Sequence, residues 1–194
     1  MLLRQTGRRD MATKGESMKI RPAAYSGAAK ALHWIMAIII LGLVPAGLAM
    51  THMAQGPAQD RLFSLHEEFG FVVLWLAVLR LWVRRTRGAP GPAAGLTPFE
   101  RIASTAVHHL LYVLLFAMPL LGWFFVSAYG TRISFFGLFD IPAIWTKSAA
   151  LSEFILVAHD IGGYLVAALL VLHIGGAFRH GFVKRDGVLQ RMLP

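Results

Sequence analysis

Four histidines lie within strongly apolar stretches of the sequence: His33, His66, His159 and His173. Ionisable side chains are costly inside a membrane, so a histidine in such a stretch is a candidate functional residue by default. Imidazole is neutral near pH 7 and is a common ligand of transition metals. The four positions therefore predict metal coordination within a membrane. The alternative for each histidine taken alone is a hydrogen bond between helices.

The apolar residues are concentrated in four blocks, at 31–50, 66–83, 102–126 and 154–178. The 194-residue chain is 56% hydrophobic with a mean hydropathy of +0.58, which is too apolar for an ordinary soluble domain. A helix needs about 20 apolar residues to cross a bilayer. The second block is the shortest and opens with Glu67 and Glu68. The blocks predict an all-α fold, an integral membrane four-helix bundle.

The segments around the blocks complete the predicted organisation. Residues 1–24 are polar and aperiodic and are predicted to be a disordered tail, followed by a helical domain over 25–185 and a C-terminal tail over 186–194. Thr97-Pro98-Phe99-Glu100 is a capping box with proline at the first helical position, so a helix should begin there. The partly apolar connection 127–152 is expected to form a short helix on the outer membrane surface.

The net charge of +9 comes from basic residues that flank the apolar blocks. They occupy the N-terminal tail, the 84–101 connection and the C-terminus, whereas the other two connections contain few. This distribution follows the positive-inside rule, so we expect both termini to be cytoplasmic and no nucleic acid to be bound. No cleavable signal peptide is predicted, because no small-residue cleavage site follows the first block.

The spacing of the histidines predicts two pairs. His159 and His173 are 14 residues apart, which places them about 21 Å apart along one helix and within about 40° of the same face. Under the predicted topology, His33 lies at the depth of His173, near the cytoplasmic side, and His66 lies at the depth of His159, near the outer side. Two bis-histidine pairs predict two haems held between the helices of the bundle. The chain has no cysteine, so these haems must be non-covalent, of b type.

Small and basic residues near the histidines have two interpretations each. Gly162 and Gly163 lie between His159 and His173, where they would admit a flat macrocycle or simply pack against a helix. Arg80 is 14 residues after His66, so it would bind a propionate of the inner haem or reach lipid headgroups.

The remaining histidines are weaker candidates. His109, next to His108 near the cytoplasmic start of the third helix, would hydrogen-bond a propionate or a quinone, or simply lie at the interface. His52 is the rival outer ligand but is about 100° off the face of His33. His180 follows the last apolar block and is expected to be solvated.

The motifs of these segments resemble the prokaryotic cytochrome b561 family over residues 25 to about 185. The matching pieces are Tyr25-Ser26, Leu32-His33-Trp34, His66-Glu67-Glu68-Phe69-Gly70, Arg80, His109-Leu110-Leu111-Tyr112, Pro119-Leu120-Leu121-Gly122-Trp123, His159 with Gly163, and Leu172-His173. The resemblance implies that the ligands are His33, His66, His159 and His173, that two b haems are bound, and that electrons are exchanged with quinone. In the family, Met18 corresponds better to the start of the chain than Met1 does.

Two redox hypotheses follow from this resemblance, because some members look like superoxide:ubiquinone oxidoreductases and others serve as cytochrome b subunits of hydrogenases and other dehydrogenases. The first is a stand-alone oxidoreductase of the bacterial inner membrane, in which Arg132 and Lys147 would attract superoxide to the outer mouth. The second is an electron-relay subunit that works with a redox partner protein. A third hypothesis is a non-redox binding or transport protein, in which the histidines would bind protons instead of iron.

Overall fold

The computed structural model describes residues 24–93 and 95–193, so the predicted N-terminal tail lies outside the described residues except for residue 24. Four long helices dominate: α1 (Gly27–His52), α2 (Pro57–Arg87), α3 (Pro98–Tyr129) and α4 (Ala149–Phe178). Two short strands, β1 (Ile133–Phe135) and β2 (Phe139–Ile141), connect α3 to α4. A π-helical turn (Arg179–Lys184) and a 3₁₀ turn (Leu189–Arg191) follow α4.

Three of the four long helices begin where a side chain satisfies a free backbone amide, whereas Gly56 before α2 supplies no such side chain. Ser26 Oγ accepts from the Ala29 amide at the start of α1, and Ser148 Oγ accepts from the Leu151 amide at the start of α4. At α3 the predicted capping box is confirmed, because Thr97 and Glu100 each accept from the other's backbone amide. These caps fix the start of α1, α3 and α4 and therefore the depth of the histidines on those helices.

All four helices are long and apolar enough to cross a membrane, and no more than 17% of the residues in each apolar window are buried within the protein. A soluble bundle of this size would bury its apolar stripe, so these outward-facing side chains must be covered by lipid. The prediction of an all-α integral membrane four-helix bundle is confirmed. The second helix, predicted to be short, spans 31 residues because its polar first turns extend it to Pro57.

The packing of the bundle leaves room on one side of α4. Helices α1 and α2, α2 and α3, and α3 and α4 pack closely, whereas α1 and α4 make few contacts. We name the two ends of the bundle by their contents. The terminal end is where α1 begins and α4 ends, and the hairpin end carries β1 and β2.

The predicted interfacial helix in the 127–152 connection is wrong, because the segment forms an antiparallel hairpin in which Phe135 pairs with Phe139. Phe136 and Gly137 both have positive φ, at 51° and 72°, and the Leu138 amide donates to the Phe135 carbonyl across this turn. Two successive residues with positive φ form a turn whose twist matches that of a hairpin. The apolar side chains of this connection therefore alternate along strands instead of lining one helical face.

The terminal end is tied together by charged groups. Glu100 at the start of α3 contacts Arg179 and Lys184 at the end of α4. The expectation that His180 is solvated is wrong, because its side chain is only 12% exposed and its Nδ1 lies 2.6 Å from the Asp186 carboxylate. Asp186 belongs to the C-terminal segment, which folds back onto the bundle instead of extending away from it.

Candidate functional site

The structure brings the four apolar-segment histidines together in two pairs. The rings of His33 on α1 and His173 on α4 have centroids 6.1 Å apart and planes at 75°. The rings of His66 on α2 and His159 on α4 have centroids 6.2 Å apart and planes at 71°. We call the first the terminal pair and the second the hairpin pair, after the ends where they lie.

The separation within each pair matches two imidazoles that bind one metal ion from opposite sides. Two metal–nitrogen bonds of about 2 Å, with about 1 Å from each nitrogen to its ring centre, give about 6 Å between centroids. Among the described residues, no group of three or more His, Cys, Asp or Glu side chains has metal-binding spacing. A six-coordinate ion at either pair would need four further ligands, which a planar macrocycle supplies.

Glycines on the neighbouring helices make room for the hairpin pair. A Cβ atom added at Gly47 of α1 would stand 3.1 Å from His66 Cε1, and one added at Gly122 of α3 would stand 3.6 Å from His159 Cε1. The backbone carbonyls of Leu43 and Met118 lie beside the same rings. The position of each ring is thus set by backbone on an adjacent helix.

The polar atoms of the hairpin pair fit a ligand-holding role. Nδ1 of His66 and Nδ1 of His159 are buried and form no hydrogen bond to any described residue. Buried polar groups without a partner are rare in folded proteins, so these two nitrogens need an explanation. Two imidazoles whose rings face each other from neighbouring helices fit the residues that would hold one haem.

Open space for a flat group lies one turn deeper on both helices. Gly70 follows His66 by four residues and Gly163 follows His159 by four, so each glycine lies on the face of its ligand. No described atom lies within 4 Å of a Cβ built at either glycine. At Gly162 the packing alternative is correct instead, because Met118 Sδ of α3 occupies the space a side chain would need. Gly163, unlike Gly162, is available to border a macrocycle.

The terminal pair has polar and aromatic neighbours. Arg80 lies beside both rings, and its Nη1 donates to the Ala29 carbonyl over 2.8 Å. Its Cζ is also 5.9 Å from the centre of the Tyr112 ring. The structure therefore brings Arg80 to the terminal pair, and the contacts it makes there are to protein instead of the membrane surface.

The two adjacent histidines of α3 differ in direction. The His108 ring stands perpendicular to the His173 ring with centroids 5.1 Å apart, so it faces the terminal pair. His109 Nδ1 donates to the Thr105 carbonyl of its own helix over 2.7 Å, and its side chain is exposed. Of the two, the structure brings His108 and not His109 to the site. His52 is exposed and bonds the Leu48 carbonyl of its own helix, away from the hairpin pair.

Glu68, two residues after His66, is a buried acid. It is only 3% exposed. Its Oε2 atom has no hydrogen-bond partner among the described residues, and its Oε1 atom lies 4.0 Å from Nη1 of Arg61. The Arg61 side chain is 64% exposed, so this long contact is weak. From the sequence, Glu67 and Glu68 would either orient His66 or mark the membrane interface, and the structure buries Glu68.

Comparisons with known proteins agree with this arrangement. A family model described as prokaryotic cytochrome b561 matches residues 24–194. The chain belongs to the prokaryotic cytochrome b561 family. Cytochrome b561 homolog 2 of Escherichia coli K12 is 34% identical over 89% of this chain and 92% of its own length. Cytochrome b561 homolog 1 of the same strain is 27% identical over 84% and 93%, and a probable superoxide oxidase CybB of Yersinia pestis is 21% identical over 84% and 92%.

Membership of the cytochrome b561 family makes the protein a membrane electron-transfer protein, and the family implies haem b. The histidine pairs, the glycines with open space and the unpartnered imidazole nitrogens fit that group. Three neighbours of the pairs, Gly47, His108 and Trp34, were not assigned a role from sequence. Only His108 carried a usable signal, because it neighbours His109 in an apolar block. Gly47 contacts His66 on the next helix, and Trp34 contacts His33 and the Met192 carbonyl, which no local sequence pattern indicates.

Proposed function

We propose that this cytochrome b561 family member binds two b haems and transfers electrons from superoxide to ubiquinone across the bacterial inner membrane. The observation that carries the proposal is the presence of two imidazole pairs, with centroids 6.1 and 6.2 Å apart, at opposite ends of one bundle. His33 and His173 would hold one haem, and His66 and His159 the other. Each haem, when bound, supplies a one-electron carrier.

The residues around each pair hold the ligands and exclude water. Leu43 and Met118 carbonyls lie beside the hairpin pair, where a ligand histidine normally finds an acceptor for its second nitrogen. Arg80 at the terminal pair keeps guanidinium nitrogens that are not used by Ala29, and these suit a propionate. The low polarity between helices keeps bulk water from both sites, which tunes reduction potential.

The charged residues at the hairpin end favour an anionic electron donor. Arg132 follows α3 and Lys147 precedes α4, and both are exposed there. Cations around a mouth raise the encounter rate of a small anion. A relative 21% identical to this chain is described as a probable superoxide oxidase. In the overall reaction two superoxide anions each lose one electron and leave as dioxygen, while one ubiquinone gains two electrons and two protons.

The residues at the terminal end suit a quinone-binding site. His108 faces the terminal pair, and its Nδ1 donates to the Ser104 carbonyl of its own helix. Its Nε2 would therefore accept a hydrogen bond from a quinol hydroxyl. His109, the candidate from the sequence, donates to the Thr105 carbonyl of its own helix and would contribute only from outside the terminal pair. The basic residues of the connection between α2 and α3 and of the C-terminus support a cytoplasmic location for this end and for both termini.

Haem counting and stopped-flow spectroscopy test the proposal. Purified protein should approach two haems per chain in a pyridine haemochrome assay, and superoxide should reduce them under anaerobic conditions. A water-soluble ubiquinone analogue should then reoxidise them and yield quinol. One haem per chain would refute the pairing. Normal haem content without reduction by superoxide would favour the electron-relay subunit, and no haem at all would remove both redox functions.

A further inference from the structure

The chain after α4 turns back and crosses the terminal end of the bundle. Arg185 has a positive φ of 52°, which reverses the chain after the π-helical turn. We call residues 185–193 the strap. Asp186 begins the strap and is held twice, because its carboxylate accepts from His180 Nδ1 over 2.6 Å and from the Val188 amide over 3.2 Å.

The middle of the strap fits a space that only glycine leaves open. A Cβ atom built at Gly181 would stand 2.5 Å from Leu189 Cδ2, so the Leu189 side chain occupies the place of a missing methyl group. Gly175 and Gly176, earlier on the same helix, have no described atom within 4 Å of such a Cβ. Leu189 therefore packs against Gly181 and not against Gly175 or Gly176.

The end of the strap reaches two distant parts of the chain. Arg191 Nη1 donates to the Gly91 carbonyl in the α2–α3 connection over 2.8 Å. The indole Nε1 of Trp34 on α1 donates to the Met192 carbonyl over 2.9 Å. The strap thus links α4, the α2–α3 connection and α1 across one end of the bundle.

Trp34 connects the strap to the terminal pair. Its ring lies edge-on to the His33 ring, with centroids 5.6 Å apart and planes at 73°. Trp34 is 39% exposed, whereas Trp82 on α2 is 61% exposed and makes no side-chain contact of this kind among the described residues. An indole fixed at its nitrogen has little freedom to rotate, so it limits the orientation of the imidazole that it packs against.

We propose that the strap closes the terminal end of the bundle and that Trp34 is a positioning residue through which the strap holds His33. The inference rests on the proposed function only in assigning His33 as a ligand. A closed strap keeps water from the terminal site, and water stabilises the more highly charged oxidised form of a haem. Opening of the strap should therefore lower the reduction potential of the terminal haem and leave the hairpin haem unchanged.

Two substitutions open the strap from different sides. Trp34→Phe keeps an aromatic ring beside His33 but removes the indole donor, and its matched control is Trp82→Phe. Gly181→Ala displaces Leu189 without touching Trp34, and its matched control is Gly175→Ala. The native chain has no cysteine, so Val188→Cys provides a single labelling site on a half-buried strap residue, whose reactivity depends on strap opening, in each background.

The rate at which a water-soluble maleimide labels the holoprotein measures how readily the strap opens. Redox titration followed by EPR measures the reduction potential of each haem. Both test variants should label about fivefold faster, the ratio expected for the loss of one hydrogen bond or its equivalent in packing. The terminal haem alone should shift in potential and EPR signal, and the controls should match the parent. Unchanged labelling would refute the strap, and faster labelling without a shift would refute its action on His33. Loss of both haems from the parent would instead refute the proposed function, and labelling alone would then decide whether the strap closes.

Discussion

The His66 ring lies against Gly47, where an added Cβ atom would stand 3.1 Å from His66 Cε1. Real Cβ contacts are seldom this close, so a side chain at position 47 requires the imidazole to shift by at least a few tenths of an ångström. The two residues belong to different helices, and the contact exists only because α1 and α2 pack closely. The backbone of α1 thus holds one member of the hairpin pair in place.

We predict that Gly47→Val lowers the haem content from two per chain toward one. The valine side chain would occupy the position of the His66 ring and break the hairpin pair, whereas the terminal pair lies near the opposite end of the bundle. Pyridine haemochrome quantification measures the change. Retention of the terminal haem shows that the variant is folded.

Gly42→Val is the matched control, because no described atom lies within 4 Å of a Cβ at Gly42 on the same helix. It should keep both haems. If Gly47→Val kept two haems with unchanged spectra, the hairpin pair would not depend on this contact.

We predict that His66→Ala and His159→Ala remove the same haem, because bis-imidazole ligation needs both rings. Difference spectra of the two variants should then superimpose. His33→Ala and His173→Ala should remove the other haem, and His52→Ala should leave both in place, since His52 bonds its own helix. Spectrally different losses from His66→Ala and His159→Ala would show that the pairs are assigned incorrectly.

The two pairs were predictable from sequence because helical geometry relates residue number to depth and direction. Fourteen residues between His159 and His173 fix their separation and phase whatever surrounds them. The Thr97–Glu100 cap was predictable for a similar reason, since its partners are three residues apart. Both features depend on local geometry that follows directly from the spacing of residues in the sequence.

Other parts of the site depend on packing between distant segments and were missed. Nothing near Gly47 in the sequence indicates that His66 lies against it, and Trp34 meets Met192 across 158 residues. The hairpin was missed because the apolar residues of the 127–152 connection suggested an interfacial helix. The positive φ values at Phe136 and Gly137 terminate any such helix, and Gly137 was the local signal for a turn.

We predict that the hairpin end and the strap lie on opposite sides of the membrane. Leu138 at the tip of the hairpin is 77% exposed and Gln190 in the strap is exposed, so cysteines at both positions should react readily. In intact cells an impermeant maleimide should label Leu138→Cys, whereas Gln190→Cys should react only after lysis. Labelling of both in intact cells would overturn the orientation drawn from the basic residues.

We predict that Arg132→Glu combined with Lys147→Glu slows the reduction of the protein by superoxide about tenfold at low ionic strength, because the variant repels the anion that the parent attracts. Salt should have less effect on the variant, since exposed charges are screened over about 8–10 Å at physiological ionic strength. Stopped-flow rates measured across a salt series test both statements, with haem content checked in parallel.

The control for this prediction is Arg87→Glu with Arg101→Glu, which changes the net charge equally at the terminal end. Its rates should equal those of the parent. Equal slowing by both double variants would mean that total charge, and not the mouth at the hairpin end, governs the encounter.

The 14-residue spacing of His159 and His173 along α4 also has an electrical consequence. The two pairs are separated by about 21 Å along the helix, which is about two-thirds of a hydrocarbon core about 30 Å thick. A charge that crosses the whole membrane exchanges about 2.3 kcal/mol with each 100 mV of membrane potential. In the proposed orientation, with the terminal end at the cytoplasm, an electron that moves from the hairpin pair to the terminal pair would travel against a potential that is negative inside. The resting voltage of the cell should slow this transfer, and dissipating that voltage should speed it.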